Sequence, residues 1–204
     1  MRYRPEHKDT TRRRILGKAG SLFRRHGYHG VGIDRIMAAS RLTRGGFYGY
    51  FRSKADLLAQ VLAGEHGFNA MMRRRTGDSR DELTAEALEL VEGYLGLANR
   101  TTVGRGCMLA ALSVDVARAG KPARRAYTER LRELAMEFAR GLPDQDPARD
   151  DDPRALTAIA LCVGGLTLAR AVDDDDFAAA ILASCRAATA GQLTNRITET
   201  VAAE

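Results

Sequence analysis

The chain has 204 residues, 45% of them hydrophobic and 28% charged, enough to bury a core and to form one large domain or two small ones. No apolar run approaches the roughly 20 residues that cross a bilayer, and the start MRYRPEHKDTTRRR lacks the apolar segment of a secretory signal; this points to the cytoplasm and away from a membrane partner. The net charge of +6 is unevenly held: residues 1–54 carry fourteen Lys and Arg against three acids, +11, and residues 55–204 carry eighteen against twenty-three, −5. Such a division suggests a polyanion-binding head on an acidic body.

The first helix is expected over Thr10–His26, where Ile15, Leu16, Ala19, Leu22 and Phe23 recur at helical spacing and Gly27 follows as a stop. A short helix fits Ile33–Ser40 with Gly32 in the cap position, and after Arg41 and Leu42 a second short helix fits Thr43–Tyr50. Three helices in about fifty residues, the last two short and joined by a tight turn, match a helix-turn-helix, whose later helix enters the DNA major groove. Within TRGGFYGYFRSK, residues 43–54, Phe47 and Phe51 would face inward with Leu42. Gly45 and Gly46 would let the backbone come close to DNA, and Thr43 and Arg44 would reach base edges, with Arg44 suited to guanine. Tyr48, Tyr50 and Lys54 would contact phosphates. Taken alone, the stretch also fits a glycine-containing turn packed by aromatics.

The run Ile15–Leu62 resembles the DNA-binding domain of the tetracycline-repressor (TetR) family of transcriptional regulators. The residues that carry the resemblance are Phe23, Gly27 and Tyr28 at the end of the first helix, the set Tyr48, Tyr50, Phe51, Ser53 and Lys54, and Asp56, Leu57 and Leu58 opening the next helix. The resemblance implies an all-α homodimer that binds palindromic operators, usually as a repressor, and releases them when a small molecule enters the C-terminal domain. Two positions depart from the family pattern. Arg41 stands where the turn usually has glycine, and Gly32 where the cap is commonly Ser or Thr. The bulky Arg41 would have to adopt the turn conformation at a modest cost.

The rest of the chain also has helical periodicity, giving an all-α fold with a helix-turn-helix domain at 1–54 and a helical ligand-binding and dimerisation domain at 55–204. A long fourth helix is expected from Lys54 to about Arg75, and Ser79 with Glu82 is a capping-box signature for a fifth reaching about Arg100, burying Leu83, Leu88, Val91, Tyr94 and Leu95. A sixth would begin near Gly106 and end at Gly120. Pro122 suits the first turn of a seventh with Tyr127, Leu131, Leu134 and Phe138 at helical spacing. Residues 141–153 form a loop. Residues 155–172 are apolar almost all round, with Gly164, Gly165 and Ala169 allowing close helix approach, and a last helix fits Phe177–Leu193. That pair suits the centre of a monomeric bundle or, as the resemblance implies, a four-helix dimer interface through about residues 153–200. The acids Asp173–Asp176 fit helix caps better than a metal site.

Three widely spaced cysteines, Cys107, Cys162 and Cys185, without a CxxC, argue against a disulfide framework or zinc site. Cys107, in GRGCML, would lie in the first turn of the sixth helix beside Arg105, either as a small buried residue or as an electrophile or oxidant sensor. Phe68, Met71, Met72, Tyr94, Cys107, Met108, Tyr127 and Met136 are candidates to line a pocket for a hydrophobic effector. No catalytic motif, metal site or cofactor is expected. The leading function is a ligand-responsive repressor. Its alternatives are a nonspecific or architectural DNA-binding protein and a helical protein whose basic first helix meets an anionic membrane.

Overall fold

The structure, a computed structural model, describes residues 5–64, 67–143 and 149–194. Its helices are α1 (Pro5–His26), α2 (Ile33–Ala39), α3 (Lys54–Ala63), α4 (Gly67–Arg73), α5 (Arg80–Tyr94), α6 (Leu97–Thr101), α7 (Met108–Ala117), α8 (Lys121–Ala139), α9 (Pro153–Ala171) and α10 (Asp175–Thr194). Two 3-10 helices, Arg44–Gly49 and Val103–Arg105, complete the set, and no strand occurs among the described residues. The helices form two compact units. One comprises residues 1–65 and 103–129, the other 66–102 and 130–204.

In the first unit the apolar stripe of α1 forms one side of the core. Ile15, Ala19 and Phe23 are fully buried against Ile36, Met37, Phe47, Leu57, Leu58 and Leu112. The helix starts at Pro5, five residues before the expected Thr10, in keeping with the tolerance of proline in a first turn. It ends where Gly27, at φ 69°, donates its N–H to the Phe23 carbonyl at 2.8 Å. The basic head takes in more chain than residues 1–54. Arg24 donates from Nε and Nη2 to the carbonyl of Gly104, at 3.0 and 2.7 Å, and Met108, Leu112 and Val116 of α7 enter the same core. By sequence count the first unit therefore carries nineteen Lys and Arg against seven acids, +12, and the second thirteen against nineteen, −6. Folding sharpens the charge division that the sequence shows.

The expected long fourth helix is corrected to two shorter ones. α3 stops at Gly64, whose backbone is extended, and α4 begins at Gly67 with φ 43°; residues 65 and 66 lie outside the described residues. The fifth helix is likewise cut short. The capping box forms as expected, with Ser79 accepting from the Glu82 N–H at 3.2 Å and Glu82 accepting from the Ser79 N–H at 3.1 Å. Yet α5 ends at Tyr94, and Gly96 in extended conformation separates it from α6. Val91, Tyr94 and Leu95 are buried, whereas Leu83 and Leu88 are only half-buried.

The second unit is held by aromatic packing and by arginines bonded to helix ends. Phe68 lies 4.2 Å from Tyr94 and 5.8 Å from Phe138, ring centroid to centroid. The buried Arg75 donates to the carbonyls of Met72 and Glu137, in the last turns of α4 and α8, and to that of Leu83 in the first turn of α5, so its charge is met by carbonyl dipoles. Arg100 does the same at the end of α9, donating to Ala169 and Val172, and pairs with Asp175 at the start of α10. Asp174 accepts from the Phe177 N–H at 2.9 Å, so the acidic run caps α10.

α9 and α10 pack closely through Gly165, where an added Cβ would lie 2.7 Å from Cys185 Sγ; Gly164, its neighbour, faces open space. Against the expectation from the sequence, α9 is long and apolar enough to cross a membrane by length and composition. Its buried face packs on α5, α6 and α10 within the unit. Its other side leaves Leu156 and Leu168 exposed, and Phe177 on α10 is 57% exposed. The loop expected over 141–153 holds no helix where described up to Asp152, Pro153 opens α9, and residues 144–148 lie outside the described residues.

Candidate nucleic-acid interface

The two short helices meet at a turn whose geometry is set by Arg41. The Arg41 N–H donates to Ala38 and the Leu42 N–H to Met37, both at 2.9 Å, closing α2 with a Schellman motif. That motif needs a left-handed residue, and Arg41 supplies it at φ 55°, the one non-glycine with positive φ among the described residues. The sequence expectation of a bulky residue forced into the turn conformation is met. Ser40, fully buried, donates its hydroxyl to Ile36 O at 2.9 Å, and Gly32 caps α2 without a side-chain bond.

The expected second helix forms as a 3-10 helix over Arg44–Gly49, capped by Thr43 in extended conformation. Three glycines in six residues lower the preference for the wider α-helix, and the tighter turn is common in such short pieces. Phe47 is fully buried and Phe51 nearly so, with ring centroids 5.6 Å apart. Leu42 is half-buried. These anchors turn the other side of the segment outward. Thr43, Arg44, Gly45 and Gly46 are exposed, Tyr48 is 64% exposed and Tyr50 is half-buried.

Nothing within the chain explains the two glycines. Neither has positive φ, a Cβ at Gly45 would meet nothing within 4 Å, and one at Gly46 would meet only the Met37 methyl at 3.7 Å. Alanine would fit both places and hold a helical turn better. The open space above them is where an external surface can approach the backbone.

Lys54 begins α3, next to the Ser53 cap, which accepts from Asp56 N at 3.0 Å. Its ammonium lies 4.3 Å from the centre of the Tyr28 ring. Partial burial lowers its pKa, with Asp115 acting in the opposite direction. Arg44 donates from Nη1 to Asp34 Oδ2 at 2.8 Å, an exposed pair.

Residues 15–61 match the profile of the bacterial regulatory proteins of the tetR family. That segment belongs to the TetR family. Among curated relatives, the transcriptional repressor DhaR of Mycobacterium sp. strain GP1 is 26% identical over 105 residues, 52% of each protein. The transcriptional repressor SCO4008 of Streptomyces coelicolor is 41% identical over 54 residues, 26% of this chain and 28% of that protein. The matched segments thus span about half or less of these relatives. Solved structures extend the likeness of fold. Reduced NemR of E. coli has a TM-score of 0.68 at 20% identity, covering 88% of this chain and 95% of that one. SCO4454, a TetR-family regulator of S. coelicolor, has a TM-score of 0.64 at 22% identity, covering 92% and 96%.

The expected pocket residues divide between the units. Phe68, Tyr94 and the fully buried Met72 belong to the second unit, where Phe68 and Tyr94 stack. Met71 and Met136, also in the second unit, are 50% and 38% exposed and contribute to its surface. Cys107, Met108 and Tyr127 belong to the first unit. Cys107 is buried at the cap position of α7, one residue before the helix, and forms no capping bond there. Tyr127 donates to Leu109 O at 3.2 Å, and burial, with a smaller contribution from Cys107, pushes its pKa up to about 12.

Sequence reasoning passed over two features of the first unit. One is Asp34, ten residues from Arg44 and paired with it. The other is the exposed basic cluster Arg118, Lys121, Arg124 and Arg125 at the turn from α7 to α8. The first could have been found from its first-turn position in α2; the second was hidden inside a segment of negative net charge.

Proposed function

We propose that this chain is a TetR-family transcription regulator, a repressor that reads a palindromic operator as a homodimer and releases it when a small hydrophobic molecule, or an electrophile, acts on its helical body. The observation that carries this reading is the outward face of residues 43–50. Its anchors are buried, its glycines serve no internal need, and it belongs to a unit of charge +12. In the complex Arg44 reads guanine, Thr43 reaches a base edge, Gly45 and Gly46 admit the DNA backbone, and Tyr48, Tyr50 and Lys54 hold phosphates. Arg41, strained and exposed beside this face, adds a phosphate contact that accounts for its place in a turn suited to glycine. The names of DhaR and SCO4008 as repressors support the same direction of regulation.

The helix-turn-helix domain of residues 1–54 then acts on DNA, and residues 55–204 serve the effector and the dimer. The dimer forms through the exposed apolar side of α9 and α10, which includes Leu156, Leu168 and Phe177, with continuation to about residue 200 lying outside the described residues. Two recognition segments about 34 to 36 Å apart would match successive turns of a palindrome. Phe68 and Tyr94 line the effector pocket, and Cys107 is the residue an electrophile would modify. The protein works in the cytoplasm, where its operator is.

Fluorescence anisotropy on DNA flanking the protein's own gene, against a scrambled duplex across a salt series, tests this reading. Preference for the flanking DNA that persists as salt rises is expected. Equal binding that collapses with salt, with no site recovered from a random DNA library, would leave a nonspecific DNA-binding protein. Tyr48→Ala and Lys54→Ala should weaken binding to every sequence, whereas Arg44→Ala should relax sequence preference by about 1 to 3 kcal/mol. Unchanged binding in all three sinks the assigned surface. Cys107→Ser abolishes electrophile-triggered release if the thiol is the trigger; persistence of release assigns it to the pocket instead.

A further inference from the structure

Within the first unit a cavity of about 440 Å3 opens between the α1–α2 turn, the start of α3 and the α7–α8 turn. Its apolar wall is Leu58, Ala119, Pro122 and Ala123, and Arg52 and Arg118 lie on its lining. Neither guanidinium makes an ion pair within 4 Å among the described residues. The one carboxylate on the lining, Asp56, is already engaged, accepting from the Arg52 N–H at 2.9 Å and from Gln60 Nε2 at 2.7 Å. Both α3 and α8 start at this cavity, and the positive ends of their dipoles add to its potential.

A volume of this size falls in the range of small-molecule sites, which pair an apolar wall with a few polar groups that fix orientation. Two arginines against one lining carboxylate, Asp56, on which the charges of Arg52 and Arg12 already act, leave the cavity net positive, and with its apolar wall this suits an amphipathic anion better than a neutral ligand or a bare ion. A planar carboxylate can accept paired N–H bonds from arginine, and its carbon body can cover Leu58 and Pro122.

We infer that this cavity is a second effector site, for a small organic monocarboxylate whose carboxylate rests on Arg52 and Arg118. It is separate from the pocket assigned to Phe68 and Tyr94. Its place gives it a consequence for DNA. The cavity includes Tyr28, whose ring lies under Lys54, so a bound anion places negative charge beside a residue assigned to phosphate and lowers affinity for DNA.

The test is direct binding to the full chain without DNA, by calorimetry and fluorine NMR, using 4-(trifluoromethyl)benzoate, its methyl ester and inorganic phosphate as probes. Saturable binding of the benzoate is expected, with the ester and phosphate each weaker by about tenfold or more, the loss that follows removal of a charge-assisted bond or of the apolar contact. Arg118→Ala should weaken the benzoate by a similar factor and Arg118→Lys by less, with thermal melts confirming that both variants fold. Absence of benzoate binding, equal binding of the ester, equal binding of phosphate, or full affinity in Arg118→Ala would each overturn the inference. Because no DNA is present, failure here is distinct from failure of the regulator reading, which the operator titration decides.

Discussion

Asparagine at position 34 probes whether Arg44 reads DNA and what restrains it beforehand. Arg44 and Asp34 are joined at 2.8 Å with side chains 67% and 64% exposed. A pair so open to solvent contributes about 0 to 1 kcal/mol, so leaving Asp34 for guanine costs Arg44 up to roughly fivefold in affinity. Asp34 also lies in the first turn of α2, where Gly32 gives no side-chain cap and a carboxylate on the helix dipole contributes about 0.3 to 1 kcal/mol. Asp34→Asn should therefore lower stability by about 1 kcal/mol, or about 2 to 4 °C in Tm for a chain of this size. It should at the same time raise operator affinity by about two- to fivefold, since the competing carboxylate is gone. Anisotropy titrations of wild type, Asp34→Asn, Arg44→Ala and the double variant on operator and scrambled duplex measure this. The gain should vanish in the Arg44→Ala background. A loss of operator affinity in Asp34→Asn, or a gain that survives without Arg44, would refute the argument that the carboxylate competes for the guanidinium.

Other positions test the packing and the pH response. Gly165→Ala should destabilise by about 1 to 3 kcal/mol through collision with Cys185, whereas Gly164→Ala, with nothing within 4 Å, should be neutral or stabilise by up to about 1 kcal/mol from helix propensity; equal effects in urea unfolding would contradict the α9–α10 contact. Arg41→Gly should stabilise by about 1 kcal/mol by relieving the left-handed turn, yet lower the salt slope of DNA binding by about one; a loss of stability would mean that the side chain, and not the turn, holds the segment. Hydrogen bonds from the Asp78 and Ser79 N–H groups hold the Glu82 carboxyl below its ordinary 4.5, and Arg154 does the same for Asp152 against 3.8. Depressed folded-state values stabilise the fold above the unfolded values and lose that effect as pH falls through the folded ones. Tm should therefore drop between about pH 5 and pH 2, less steeply in Glu82→Gln; an identical profile in that variant would exclude the capping carboxylate as a source.

The sequence by itself determined what depends on neighbouring residues. Buried Phe47 and Phe51, the capping box of Ser79 and Glu82, the left-handed Arg41 and the cap at the acidic run before α10 all follow from spacing and backbone chemistry within a few residues. So did the outward set Thr43, Arg44 and Tyr48, once the inward aromatics were placed. Helix length was less legible. Apolar periodicity runs on through residues 60–75 and 91–100, while Gly64, Gly67 and Gly96 interrupt the backbone, and a glycine in a helical pattern can be tolerated or can end it. Only the tertiary structure decided that residues 103–129 join the basic unit, by bonding Arg24 to Gly104 across 80 positions and by burying Met108 and Leu112 with Phe23. It alone exposed Met71 and Met136, separated the roles of Gly164 and Gly165, paired Asp34 with Arg44, and brought Arg52 and Arg118 to one cavity. Periodicity and capping act over one or two helical turns. Shared burial between distant segments depends on which apolar faces meet, and no local pattern encodes that choice.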